Sequence, residues 1–121
     1  NFYVYGDVAI CGCRGWIYSA APEDIKVYKR ELLRLEYSLE AAERAGYGRK
    51  IAVMHYPPYK TADCPDENII GILKKYNAEI CLYGHLHGSF GKPILQGIYS
   101  GIDFSLISAD YLDFVPKKIL D

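Results

Sequence analysis

IAVMHYPP (residues 51–58) and EICLYGHLHG (residues 79–88) are built alike: a short apolar run that ends in a histidine. The first is rich in β-branched residues and is halted by Pro57-Pro58, which marks a strand that stops at its C-terminal end. The second passes into a glycine-rich loop, GHLHGSFGKP, and reads as another strand. Between them, Tyr59 to Pro65 reads as polar loop, and Glu67 to Tyr76 as a short helix with Ile69, Ile70, Leu73 and Tyr76 inward. A longer helix precedes the first run. Pro22 stands in its first turn, Glu23 and Asp24 complement the positive end of its dipole, and Gly46 and Gly48 stop it. Ile25, Tyr28, Leu32, Leu35, Leu39 and Ala42 recur at spacings of three and four, a single apolar stripe. Thirteen of the 29 charged residues lie between Glu23 and Lys50, which predicts a solvated back to that helix and no partner.

At the N-terminus, FYVY and VAICGC flank Gly6-Asp7, the pattern of a hairpin with a two-residue turn. From Ile98 to about Val115 one or two further strands are expected. Phe104, Leu106 and Leu112 share one alternation, and Ile107, Ala109 and Tyr111 the other, so this stretch reads as buried on both faces. Pro116-Lys117-Lys118 closes it. The order β-β-α-β-α-β-β belongs to the α/β or α+β class, with helices covering a sheet.

The chain of 121 residues is one domain's worth, and at 50% hydrophobic and 24% charged it is neither disordered nor fibrous. A formal net charge of −1 gives no pull on nucleic acid. Cys11, Cys13, Cys64 and Cys81 make no CxxC pair, and on an extended segment CxC sets two thiols on one face as small apolar groups. A reducing, cytoplasmic setting follows as the expectation. No lysine or arginine precedes Arg14, so a signal-peptide n-region is not seen, and no apolar run reaches the ~18 residues of a spanning helix. A chain that begins at Asn1 is expected to be processed, or a piece of something longer.

All three histidines, His55, His85 and His87, follow a predicted strand, and active groups of α/β folds gather at the carboxyl ends of strands. On extended backbone, residues i and i+2 lie about 6.6 Å apart on one side, so HxH can bring two imidazoles to one ion or to neighbouring ions. Gly84 and Gly88 let backbone and ligand approach closely. The plain alternative is a set of hydrogen-bonded strand-end histidines. Arg14, in the CRGW segment, is placed either to grip a phosphate or to pair with a carboxylate or stack on Trp16. Tyr56 and Tyr59 can line a pocket. Asp63 and Asp66 are loop carboxylates, with Asp66 also positioned to cap the second helix.

HYPP at 55–58 followed by GHLHG at 84–88, with AICGCRGW before and SADYLDFVPKKI after, resembles the C-terminal half of the calcineurin-like metallophosphoesterases, in a bacterial branch. The resemblance covers most of the chain. It implies part of an α/β/β/α sandwich, mixed sheets covered by helices. It implies that His55 and His85 bind one metal and His87 its neighbour, in a site that holds two divalent ions, Mn²⁺, Fe or Zn²⁺. It further implies hydrolysis of a phosphomonoester or phosphodiester in a phosphorylated small molecule, nucleotide or phosphoprotein. The family's GDxH, GDxxD and GNHD or GNHE motifs are not found. Gly6-Asp7 does not supply them, because Ala9 and Ile10 stand where His and Asp are required. The missing motifs are expected upstream of residue 1. Without those carboxylates, two dications ~4 Å apart repel strongly, so the chain alone is expected to bind at most one ion tightly and to hydrolyse phosphoesters poorly or not at all. The contending reading is a non-catalytic single-zinc or association module. In either case the sheet face that a missing half would cover predicts self-association. A metallohydrolase barrel needs ~200 residues or more and is excluded by length.

Overall fold

The computed structural model describes residues 1–61, 64–88 and 95–121. Tyr3–Tyr5 (β1) and Val8–Cys13 (β2) form the expected hairpin, with Tyr5 opposite Val8 and Gly6 at φ +59° in the turn. Helix α1 (Pro22–Arg44) leads to β3 (Arg49–Met54), and α2 (Glu67–Lys75) leads to β6 (Ala78–Tyr83) after a small ribbon of β4 (Tyr59–Thr61) and β5 (Cys64–Pro65). Strands β7 (Gly97–Tyr99) and β8 (Ile102–Leu106) form a second hairpin. The six-stranded sheet runs β1-β2-β3-β6-β8-β7, with β2, β3, β6 and β8 parallel and an antiparallel strand at each edge. The protein is therefore mixed α/β.

The order explains where the helices go. From β2 to β3 to β6 the chain steps in one direction across the sheet, and right-handed crossovers then put both helices on the same face. One core cluster joins Leu35, Leu39 and Ala42 of α1 and Ile69, Ile70 and Leu73 of α2 to Ala9, Cys11, Ala52, Met54, Cys81, Tyr83, Phe104 and Leu106 of the strands. On the other face Val8, Ile51 and Leu82 are buried, with Ile119 and Leu120 of the C-terminal segment packed against them. Lys117 donates to Ser105 Oγ at 2.7 Å and ties that segment down.

Several expectations change. Ile25 is 38% exposed, so the buried stripe of α1 begins at Tyr28. Two polar residues share that stripe. Ser38 Oγ accepts from the Gly12 amide at 3.0 Å, and Glu31, only 2% exposed, accepts from the Arg14 amide at 3.2 Å and pairs with Arg34 at 2.7 Å. Lys50 is buried as well, with its ammonium on Glu43, so the charge between Glu23 and Lys50 is not all solvated. The segment expected to be polar loop from Tyr59 to Pro65 is in part the β4–β5 ribbon, while Asp63 lies outside the described residues, as does 89–94 of the glycine-rich loop. Beyond Leu106 the strand alternation ends. Residues 109–114 turn, with Asp113 at φ +52° and Phe114 at φ +58°, so Tyr111 and Leu112 belong to no strand.

Candidate metal centre

Cys13 pairs with Met54 and Met54 with Tyr83, so the last rung of the parallel sheet crosses β2, β3 and β6. One step beyond, the backbone stays fastened. The amides of His55 and Tyr56 donate to Arg14 O at 3.2 and 2.9 Å, and the Gly84 amide donates to His55 O at 3.1 Å. Arg14, His55 and Gly84 therefore stand abreast at the carboxyl ends of three neighbouring parallel strands. His85, next along, has φ +70°, a left-handed conformation uncommon for a residue with a Cβ. With it, His85 Nδ1 lies 3.1 Å from His55 Nε2. Two nitrogens each ~2.1 Å from one ion stand roughly 3.0–3.4 Å apart between octahedral and tetrahedral geometry. At this distance the two rings hydrogen-bond to each other, as the plain alternative expects, and the same spacing also fits one edge of a single ion.

The site is walled by aromatics. The Tyr56 ring packs on His85 at 4.3 Å between centroids and on Trp16 at 5.2 Å, and the Arg14 guanidinium lies 4.5 Å from the Trp16 ring centre. Arg14 thus takes the stacked arrangement, is exposed, and makes no ion pair among the described residues. Burial, then the neighbouring charges of His55 and His87, hold the His85 imidazole below its ordinary pKa and favour the neutral ring a metal requires. Tyr59 is not a wall of this site. Its hydroxyl meets that of Tyr83 at 2.5 Å and accepts from the Leu95 amide at 3.1 Å, turned toward the core.

His87 is not in this pair. It is largely exposed, with Nδ1 2.9 Å from Asp110 Oδ1, while Asp110 Oδ2 accepts from the Gly88 amide at 2.7 Å. The Gly88 amide first, and His87 second, hold the Asp110 carboxyl below the usual range. Asp110 was not picked out in the sequence. Its only signal there is a position shortly after the last strand, since nothing in the spacing links residues 23 apart. Among the described residues no three of His, Cys, Asp and Glu gather closely enough to hold an ion by themselves, at the His55–His85 pair or at His87. Asp66 is spent as the cap of α2, and burial raises the Cys13 thiol to about 12, far from a thiolate. A cleft of about 520 Å³ between Tyr18 and Lys29, with Asn68, contains none of the histidines.

No family model, curated protein or solved structure matches the chain.

Proposed function

We propose that the chain carries the histidine part of a metal-dependent phosphoesterase site, in which His55 and His85 hold one divalent ion and Arg14 receives a phosphoryl oxygen. The observation that carries the reading is the 3.1 Å approach of His55 Nε2 and His85 Nδ1 from two adjacent strand ends. Arg14 is placed for it: the carbonyl of that same residue fastens His55, and its exposed guanidinium, although stacked on Trp16, is paired with no carboxylate among the described residues. Imidazoles suit Zn²⁺, while an oxygen-rich completion of the site would suit Mn²⁺ or Fe. The two-ion site and the α/β/β/α sandwich implied by the resemblance belong to this proposal, as does a second layer over the face where Ile119 and Leu120 lie. So does a cytoplasmic location, which suits the buried thiols of Cys11 and Cys81.

A second reading, a single-zinc module without turnover, is favoured by one fact: only two nitrogens converge among the described residues. Titration calorimetry with Zn²⁺ and Mn²⁺, on the chain and on His85→Ala, tests the metal pair that both readings share, with an aryl phosphate assay alongside. One ion lost in His85→Ala, without turnover, is what both readings expect of this chain; GDxH, GDxxD and GNHD motifs encoded ahead of Asn1 then decide for the phosphoesterase, and other sequence there for the single-zinc module. Metal-dependent turnover lost in the variant supports the phosphoesterase. No ion bound at all overturns both.

A further inference from the structure

The loop that carries His85 and His87 leaves β6 beside β8, and the ladder between these strands continues past their ends, with the Ile107 amide donating to Tyr83 O at 2.8 Å. There the chain enters a compact turn. Leu112 donates to Ser108 O at 3.1 Å, Asp113 to Asp110 O at 3.2 Å and Phe114 to Ala109 O at 2.8 Å. Asp110 sits inside this frame, and its two carboxylate oxygens reach two successive residues of the histidine loop, His87 through Nδ1 and Gly88 through its amide. An ionised carboxylate only accepts, so Nδ1 of His87 must be the protonated nitrogen.

We propose that Asp110 is a positioning residue for His87: it fixes the neutral ring in the Nδ1–H tautomer and leaves Nε2 as the one nitrogen with a free lone pair for a divalent cation. A carboxylate on the far nitrogen of a ligand imidazole sets its tautomer and orientation and raises its basicity. The cation part rests on the metal reading above, whereas the tautomer part stands without it. The pair is open to solvent, with side chains 64% and 34% exposed, so it contributes little to folding and its loss is read in His87.

The test uses the ¹⁵N-labelled full chain. Long-range proton–nitrogen correlation, at a pH where the histidines are neutral, reports which nitrogen of each ring is protonated. His87 is expected as Nδ1–H in the native protein and as mixed tautomers in Asp110→Ala, whereas Asp110→Asn, whose single oxygen is held by the Gly88 amide and whose NH₂ then faces Nδ1, is expected to turn it to Nε2–H. Zn²⁺ added alone should perturb Nε2 of His87, with affinity about 10- to 100-fold weaker in Asp110→Ala and an unchanged thermal transition. An Nε2–H ring in the native protein overturns the proposal. So does an Asp110→Ala protein that keeps both its tautomer and its Zn²⁺ affinity. If the tautomers behave as expected and Zn²⁺ moves no histidine resonance, the positioning role stands and the metal reading falls.

Discussion

Asp66 is fully buried, yet every oxygen it offers is used. Oδ1 accepts from the amides of Asn68 and Ile69 at 2.9 and 3.4 Å, and Oδ2 accepts from the Tyr28 hydroxyl at 2.5 Å. One carboxylate thus caps α2 and joins it to α1. Burial, and then the Asp66 hydrogen bond, push the Tyr28 phenol well above its ordinary pKa, so it stays a donor. Asp66→Ala removes a cap worth ~1–2 kcal/mol and strands a buried hydroxyl at ~1–3 kcal/mol. Chemical denaturation should therefore give a loss of about 2–5 kcal/mol, and a change under 1 kcal/mol would contradict the bridge. Asp24 differs because it is open to water. Its carboxylate takes the Ser19 hydroxyl at 2.7 Å and the Trp16 indole at 2.8 Å, and these two bonds, in that order, lower its pKa. The stability it lends is complete above the ordinary value of ~3.9 and is lost as pH falls through the lower folded value. Trp16 is the single tryptophan of the chain, so its fluorescence should change with a midpoint below 3.8, and in Asp24→Asn that step should vanish.

Two glycines in regular elements are predicted to respond in opposite directions. A Cβ on Gly12 of β2 would come within 2.0 Å of Val53 O in the neighbouring strand, and a backbone atom there cannot step aside. Gly12→Ala should cost about 3 kcal/mol or more and weaken metal binding, because Arg14 and His55 hang from that strand pair. Gly71 of α2 meets nothing within 4 Å and is not left-handed, so Gly71→Ala should stabilise by about 0.5–1 kcal/mol. Equal effects at the two sites, read as shifts in the urea midpoint, would refute this contrast. Both helices and five strands were legible because periodicity and punctuation report local geometry: Pro22 and Gly46 bracket α1, and Pro57 follows the strand that ends at Met54. The β4–β5 ribbon was not, since three residues paired with two carry no period. His55 and His85 were found by their places after strands. The left-handed His85 that brings them together, and the Asp110 that holds His87, are long-range facts that no window of sequence contains.

At the scale of the molecule, the sheet is covered unevenly. The face away from the helices, expected to be bare, is partly sheltered: Val8, Ile51 and Leu82 are buried, and Ile119 and Leu120 lie against them. Its edges are not sheltered in the same way. In β1 all three residues are exposed, Tyr3 at 79%, Val4 at 50% and Tyr5 at 61%, and β1 has a partner on one side alone among the described residues. An apolar edge strand without a lysine or proline is a template for pairing with another chain. Self-association is therefore predicted to run through this edge more than through the open face. Sedimentation velocity over a concentration series should show reversible association that Val4→Lys suppresses, with the thermal transition little changed because Val4 is half exposed. Ile119→Asp should instead uncover the face, adding association to a less stable fold. A chain that stays monomeric at every concentration, or that associates equally well with Val4→Lys, would remove the edge from consideration. Association raised by Ile119→Asp in that second case would return the open face as the contact.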